Sequence, residues 1–177
     1  MKKLLAISSL LGVVLIIAIF FAGDFALLRV RSASMQPTFC TGDYVLVRRL
    51  RSGEQQPLRG QVVVFSVTPG TLVTKRVFGV GGDQVEFSSR YIQLNSAAPV
   101  PLEQCPAPAR LPDSVVTHRR LGVAAGYAFM LGDNYGLAED SRQYGAIPLS
   151  AVVGTVVTRI PTTFSTCPCG YHLGAAQ

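Results

Sequence analysis

Residues 71–78 read TLVTKRVF, a stretch in which apolar and polar side chains alternate. Successive side chains of a β-strand point to opposite faces, so this alternation predicts a half-buried strand. The stretch also contains Lys75, which is the only lysine after Lys3. The sequence therefore places a single amine on a strand that supplies apolar walls around it.

Runs of similar composition lie on both sides of this stretch, rich in β-branched and aromatic residues and bounded by Gly, Pro, Asp or Ser. Their spacing indicates an antiparallel sheet folded into a barrel or sandwich, so we predict a mainly β fold. No amphipathic helix of about ten residues competes with them in the sequence. The predicted strands are residues 44–50, 61–67, 72–80, 84–94, 127–131 and 152–160.

Residues 24–177 are predicted to form one β-rich domain, which is long enough to bury a core. Residues 96–112 show no hydrophobic period and hold five of the eleven prolines, so we predict a surface loop there. This tract belongs to a loop-rich insertion that we expect around residues 84–126.

Residues 4–23 carry no charged side chain and follow Lys2 and Lys3. A helix of about 20 apolar residues spans a bilayer, so residues 1–23 are predicted to be a cytoplasmic tip and a single transmembrane anchor. The two lysines favour a cytoplasmic N-terminus and an extracytoplasmic domain at the plasma membrane, although arginines beyond the helix weaken this signal. A cleaved secretory signal is the alternative, but residues 20–23 supply no small-x-small cleavage site.

The formal net charge is +6 at pH 7, and the arginines are scattered rather than gathered in one run. A basic surface next to a membrane suits anionic head groups, so the lipid bilayer is an expected partner. Nucleic-acid binding is the other interpretation of excess positive charge, but no interleaved aromatic motif supports it. We therefore expect no nucleic-acid partner, and we expect a monomer.

Two serines alternate with a small residue in residues 31–39, which read RSASMQPTF. Period-two spacing puts Ser32 and Ser34 on the same side of an extended segment, and Pro37 disfavours a helix there, although the residue types alone also fit a polar turn.

A serine hydroxyl needs a base before it becomes a good nucleophile. The only histidines, His118 and His172, lie in settings that disfavour a histidine triad, which leaves Lys75 as the candidate base. Burial against apolar walls would lower its pKa, as a lysine requires to act as a base at neutral pH.

Five groups of residues resemble, in the same order, the sequence boxes of the type I signal peptidases. The resemblance runs from the N-terminal anchor to about Pro148 and implies a β-rich peptidase domain of the bacterial type, with a Ser-Lys dyad and no cofactor. The matching groups are residues 34–38 (SMQPT), 42–47 (GDYVLV), 59–65 (RGQVVVF), 75–77 (KRV) with 82–83 (GD), and 132–134 (GDN) with 140–145 (DSRQYG).

The resemblance implies a catalytic role for three residues. The serine that matches Ser34 is the nucleophile of the family, and the lysine that matches Lys75 is the general base. The hydroxyl that matches Ser32, with the backbone N–H of the nucleophile, binds the oxyanion, which is the charged oxygen of the tetrahedral intermediate.

The last box is implied to brace this dyad. By resemblance, Asp140 and Arg142 form an ion pair behind the lysine, Ser141 lies nearby, and Asp133 supports the same region. Without the resemblance, these residues would fit a solvated turn with a weak surface pair.

Two positions depart from the family pattern. Many members have a serine where this chain has Ala138, and residues 134–137 read NYGL where an Asn-Arg-Asp-Asn run is usual. We therefore expect one hydrogen bond to Lys75 to be missing, or to be replaced by Ser141 or water.

The resemblance also implies the substrates, which are exported precursors whose signal peptides carry small residues one and three positions before the cut. An extended peptide that pairs with strand edges points alternate side chains into the enzyme, where shallow pockets accept only small ones. The candidate cleft residues are Met35, Pro37 and Phe39, with parts of the strand at residues 61–65.

Three alternatives share part of this pattern. A peptidase dedicated to one pilin or conjugation precursor would use the same dyad on a narrow range of substrates. A self-cleaving repressor also uses a Ser-Lys pair, but it would carry a DNA-binding helical domain where this chain has an apolar run. An inactive, membrane-anchored β-domain that binds exported chains is the alternative of a different class, and Ala138 leaves room for it.

The cysteines are Cys40, Cys105, Cys167 and Cys169, and the predicted orientation would place them in an oxidising space. Their connectivity stays open, and a bond from Cys105 to Cys167 or Cys169 would join the insertion to the tail. A zinc site that includes His172 is disfavoured because Cys-x-Cys lacks the usual ligand spacing, so we expect no metal.

Overall fold

The computed structural model describes residues 23–51, 56–88, 91–101, 118–165 and 167, with positions 12, 14, 15 and 18 before them. This part of the chain contains eleven strands and the short helix α1 (Ser141–Tyr144). The strands are β1 (Phe25–Arg29), β2 (Tyr44–Arg49), β3 (Val62–Thr68), β4 (Thr71–Val80), β5 (Gln84–Phe87), β6 (Tyr91–Leu94), β7 (Val100–Pro101), β8 (Arg119–Gly122), β9 (Tyr127–Leu131), β10 (Ile147–Pro148) and β11 (Val152–Ile160).

Seven strands form an antiparallel sheet in the order β1-β2-β11-β3-β4-β9-β10. The apolar run of β3 packs on both faces of this sheet. Val62 and Val64 belong to one buried cluster, whereas Val63 and Phe65 belong to another. Alternate side chains leave a strand on opposite faces, so a strand covered on both faces needs an unbroken apolar run.

The neighbouring strand β4 lies between β3 and β9. Lys75 is opposite Val63 of β3, and Arg76 is opposite Leu131 of β9. Because the two basic residues are adjacent in a strand, their side chains leave opposite faces of the sheet. This arrangement gives the lysine and the arginine separate surroundings.

A smaller antiparallel sheet has the order β7-β6-β5-β8. Its apolar residues Val85 and Ile92 are fully buried in one cluster with Phe129 of β9, and the rings of Phe87 and Phe129 have centroids 5.5 Å apart. This sheet occupies the region of the predicted loop-rich insertion, of which residues 102–117 lie outside the described part. The insertion region therefore contributes to the core.

The predicted fold class is confirmed in that the described part is mainly antiparallel β. The prediction of one strand over residues 84–94 is wrong, because Phe87 pairs with Ile92 across the hairpin of β5 and β6. No helix among the described residues has the length and apolar character needed to cross a membrane. The predicted anchor, residues 4–23, lies outside the described residues except at isolated positions.

A disulfide joins Cys40, at the end of the serine-containing loop, to Cys167, which follows β11. The Cys40 side chain is buried, and Nη2 of Arg159 lies 3.1 Å from its sulfur. The considered bond between Cys105 and Cys167 is therefore wrong, and Cys167 is not a thiolate that could bind zinc. Cys105 and Cys169 lie outside the described residues.

We expect reduction of the Cys40–Cys167 disulfide to lower the free energy of unfolding by about 2–4 kcal/mol, because the bond closes a long loop in the unfolded chain. The measurement is urea denaturation with and without dithiothreitol in a Cys105→Ser/Cys169→Ser background, which isolates this bond. A chain with all four cysteines replaced serves as the control, and its midpoint should not respond to the reductant. An equal midpoint for the two redox states of the isolated bond would contradict the prediction.

Candidate active site

The loop that carries the two serines is a series of bends and turns over residues 32–39. The predicted extended conformation is wrong, since backbone bonds from Gln36 N–H to the Ala33 carbonyl (3.1 Å) and from Phe39 N–H to the Met35 carbonyl (2.9 Å) close the turns. The two hydroxyls still meet. Oγ of Ser32 and Oγ of Ser34 are 3.2 Å apart.

The same loop is anchored by apolar side chains. Met35 and Phe39 are buried and pack in a cluster with Val45 and Val64 from the sheet. Of the three residues expected in the substrate cleft, Met35 and Phe39 line the groove described below, whereas Pro37 does not line it. The loop therefore presents its serines to the groove and its large apolar side chains to the core.

A groove of about 690 Å³ brings the serine loop and β4 together. Ser34 and Lys75 both line it, and so does Ser32. Its other lining residues come from the end of β1 and the two residues after it, from the serine loop, from β2, from the first half of β4 with the turn before it, and from the turn before α1. They are Leu28, Arg29, Val30, Arg31, Met35, Phe39, Val45, Gly70, Leu72, Val73, Thr74, Leu137 and Glu139.

Lys75 is the buried amine of this groove, with 2% of its surface exposed. Burial lowers the pKa of Lys75 below 10.5, because removal from water disfavours the ammonium form. The charge of Asp140 acts in the opposite direction, and Arg142 opposes Asp140 by lowering the same pKa. Across the described residues, Lys75 Nζ makes no hydrogen bond, and the Ser34 hydroxyl bonds only Ser32.

Asp140 and Arg142 form a buried ion pair next to this lysine. Asp140 is fully buried, and its Oδ1 accepts a hydrogen bond from Arg142 Nε at 2.8 Å. Its Oδ2 accepts from the Gly132 N–H at 3.0 Å. Arg142 also donates from Nη2 to the carbonyls of Tyr135 (2.8 Å) and Ala138 (3.2 Å). The pair thus binds the whole turn from Gly132 to α1.

Asp140 also begins the helix α1. Its side chain accepts from the Arg142 N–H, while the Gln143 side chain accepts from the Asp140 N–H, which completes a capping box. The Ser141 hydroxyl is buried and accepts a hydrogen bond from the Met130 N–H of β9 at 2.9 Å. Ser141 therefore fixes the helix to β9, and no described contact joins it to Lys75.

Asp133 pairs with the arginine that follows the lysine. Arg76 donates from Nε to Oδ1 at 2.8 Å and from Nη2 to Oδ2 at 2.6 Å, a two-pronged contact that raises the pKa of Arg76. Arg76 also donates from Nη1 to the Gly60 carbonyl at 2.7 Å. The partner of Asp133 was not predicted, although Arg76 stands in the same box as Lys75.

Asn134 is a site residue to which the sequence interpretation gave no role. Its backbone N–H donates to the Ser34 carbonyl at 3.0 Å, and its side-chain Nδ2 donates to the Ala33 carbonyl at 3.2 Å. The neighbouring Gly132 has no side chain because a Cβ there would lie 2.6 Å from the Ser34 carbonyl oxygen and 2.3 Å from the Ala138 Cβ. The Gly-Asp-Asn box was the available signal for this contact.

We expect Asp140→Ala to lower the free energy of unfolding by about 3–5 kcal/mol, because it removes the fully buried carboxylate that pairs with the largely buried Arg142 guanidinium. Glu139→Ala is the matched control. It removes an exposed carboxylate one residue away and should change stability by less than about 0.5 kcal/mol. Urea denaturation of both variants is the measurement, and similar midpoints for the two would contradict the prediction.

Comparison with known proteins gives matches to one family. The family described as "Signal peptidase, peptidase S26" matches over residues 1–161. The signal peptidase I of Aquifex aeolicus is 40% identical over 67 residues, which are 37% of this chain and 26% of that protein. A probable signal peptidase I-2 of Synechocystis is 27% identical over 143 residues, which are 72% of this chain and 59% of that protein. The matched part thus spans about a quarter of one relative and about three-fifths of the other.

Among solved structures, a signal peptidase I from Enterococcus faecalis is similar to this chain with a TM-score of 0.46 and 25% sequence identity. The similarity covers 59% of this chain and 98% of that one.

Proposed function

This chain belongs to the signal peptidase family, peptidase S26, and from that premise we propose that it is a serine endopeptidase that removes signal peptides from exported precursors. One observation supports the assignment of this activity to Ser34 and Lys75. Ser34 and Lys75 line the same groove, and the amine of Lys75 is buried so that its pKa is lowered. A neutral amine beside a serine hydroxyl is the combination that a Ser-Lys peptidase needs.

In the proposed mechanism, the Ser34 Oγ attacks the scissile carbonyl carbon while the neutral Lys75 amine takes the hydroxyl proton. The resulting ammonium then gives that proton to the leaving amine, and the acyl group stays on Ser34. Water hydrolyses this ester, with Lys75 again accepting a proton. The hydroxyl of Ser34 must turn from Ser32 towards the amine for the first step, since its contact in the resting site is with Ser32.

Two donors near Ser34 are suited to bind the oxyanion. The Ser34 N–H has no acceptor among the residues that the structure describes, and the Ser32 hydroxyl lies on the same groove. Each such donor typically contributes about 2.7–4 kcal/mol to transition-state stabilisation. Once the Ser34 proton has left, the Ser32 hydroxyl is released to donate to the oxyanion.

Burial has the largest effect on the pKa of Lys75, and two of the three nearby carboxylates are paired with arginines, whereas the third, Glu139, is exposed. Asp140 is neutralised by Arg142, and Asp133 is neutralised by Arg76. Each carboxylate raises the pKa of Lys75, but burial has the larger effect and lowers it. We propose that these two ion pairs are the way in which Asp133, Asp140 and Arg142 support the dyad, while Ser141 holds the helix in place.

The walls of the groove suit an extended peptide with small side chains near the cut. Leu28, Val30 and the first half of β4 line the groove, and so do Met35 and Phe39, which also pack in the cluster with Val45. We propose that the groove accepts small residues one and three positions before the scissile bond. A narrower enzyme dedicated to one pilin or conjugation precursor would use the same groove.

The membrane part of the proposal comes from the sequence. Residues 4–23 would anchor the chain in the plasma membrane, with residues 24–177 outside the cytoplasm as a monomeric peptidase domain. This position would hold the groove at the membrane surface, where precursors with apolar signal helices are present. A basic domain surface would favour anionic lipid head groups there.

The test is cleavage of a precursor with an Ala-x-Ala site by the full chain in detergent. We expect Ser34→Ala and Lys75→Met each to lower kcat/KM by at least about 10⁴-fold, because each removes a member of the dyad. Ser32→Ala should lower kcat by about 10²–10³-fold through loss of one oxyanion donor.

Each variant should retain the wild-type thermal midpoint within a few degrees, so that lost activity is not lost folding. Cleavage by Lys75→Met at the wild-type rate would exclude the lysine as base. A wild-type chain that binds the precursor without cutting it would favour the inactive binding domain.

The kcat/KM of the wild-type chain should rise with pH through the pKa of Lys75, since only the neutral amine accepts a proton. Because burial lowers that pKa, the midpoint of the rise should lie below pH 10.5. Glu139→Gln removes a negative charge that raises the same pKa, so the rise should move to lower pH. A pH profile of wild type and variant measures the shift, and a move to higher pH would contradict the assignment.

A further inference from the structure

Asn134 holds the serine loop at two successive carbonyls. Its N–H donates to the Ser34 carbonyl at 3.0 Å, and its side-chain Nδ2 donates to the Ala33 carbonyl at 3.2 Å. The residue is 1% exposed, and its Oδ1 is buried without a hydrogen-bond partner in the described part of the chain. The amide is thus buried with only its donor group engaged, although an unpaired carbonyl oxygen costs free energy. We ask what that donor contributes.

The Ala33 carbonyl and the Ser34 N–H belong to one peptide group. That group is trans, because the cis bond found in the described residues is the one between Gln36 and Pro37. A trans peptide is planar, and its C=O and N–H point in opposite directions. A donor that fixes the direction of the Ala33 carbonyl therefore fixes the direction of the Ser34 N–H.

The N–H end of this peptide group is available as a donor. The Ser34 N–H has no acceptor among the described residues, and Ser34 lines the groove. The other end is held by two donors, Asn134 Nδ2 at 3.2 Å and the Gln36 N–H at 3.1 Å. The Gln36 bond comes from within the turn, whereas Asn134 attaches it to the rigid sheet after β9.

We propose that Asn134 is a positioning residue that aims the Ser34 N–H at the oxyanion of the tetrahedral intermediate. The inference rests on the proposed role of Ser34 as nucleophile. Asn134 does not contact the substrate, because its Nδ2 acts through the Ala33 carbonyl. Its backbone N–H holds the Ser34 carbonyl and would survive substitution, so the loop keeps one of its two attachments when the side chain is changed.

The main test is Asn134→Leu, which keeps the branched shape of the side chain and removes the donor. An N–H that points away from the oxyanion stabilises the transition state less, while the binding of the substrate changes little. We therefore expect kcat to fall roughly 10- to 100-fold. KM should change by less than about threefold.

A second readout separates aiming from general loop support. A peptide aldehyde of the substrate sequence adds to Ser34, and its carbonyl oxygen becomes the oxygen that the N–H would bind. Its affinity should fall by the same factor as kcat/KM in Asn134→Leu. The affinity of a matched peptide in which a methylene replaces the scissile carbonyl, and which therefore has no such oxygen, should stay unchanged.

Asn134→Ala is a second test variant, which is used if Asn134→Leu folds poorly. Asn95→Ala is its matched control. The Asn95 side chain also makes hydrogen bonds, to Asp83 and to the Gln84 N–H, but it lies in the smaller sheet. Asn95→Ala should lower the thermal midpoint and leave kcat unchanged. Asn134→Ala should lower kcat as Asn134→Leu does.

The outcomes distinguish this inference from the proposed function. If both Asn134 variants keep kcat within about twofold while Ser34→Ala is inactive, the aiming role is wrong and the peptidase assignment stands. If the affinities for the aldehyde and for the methylene peptide fall together, Asn134 only supports the loop, and the proposal is also overturned. Full cleavage by Ser34→Ala would instead reject the function on which the inference rests.

Discussion

The desolvation of one amine is the constraint on which the rest of the site depends. Lys75 leaves β4 towards the groove, and the packed sheet keeps water away from it. An amine in such a place would regain its proton if unpaired carboxylates lay beside it. Two of the three neighbouring acids are bound to arginines, Asp140 to Arg142 and Asp133 to Arg76, and the third, Glu139, is exposed to water. The ion pairs leave burial as the larger influence on the lysine.

The turn from Gly132 to α1 links these effects to the serine loop. Gly132 permits the close approach of the Ser34 carbonyl, and Asn134 binds the serine loop. Asp140 and Arg142 hold the turn itself through hydrogen bonds to its backbone. Ala138 occupies the place where a family serine is usual and packs beside Gly132. The contact between loop and turn is thus made by backbone and small groups, which allows little room for adjustment.

Five of the seven strands of the large sheet were predicted, because alternation and unbroken apolar runs report directly on burial, as in β4 and β3, whereas β1 and the two-residue β10 were not predicted. The hairpin of β5 and β6 was missed since its turn has no Gly or Pro between Phe87 and Tyr91. The extended serine segment was wrong because period-two spacing does not reveal turn-closing bonds such as that from Gln36 to Ala33. Lys75 and Ser34 were proposed from rarity and resemblance. Asn134 was given no role although it stands in the Gly-Asp-Asn box, because a hydrogen bond to a backbone carbonyl such as that of Ala33 does not depend on the residue type of its partner.

The hydrogen bond between Asn134 and Ala33 joins positions 101 residues apart in the chain. Contacts between such distant positions form late in folding, since closing a long loop costs entropy before any contact repays it. The serine lies before β2, the lysine in β4 and the asparagine after β9, so no fragment of the domain contains the assembled groove. A partly folded or incomplete chain would therefore have no peptidase activity. Activity would appear only after the last long-range contacts have formed.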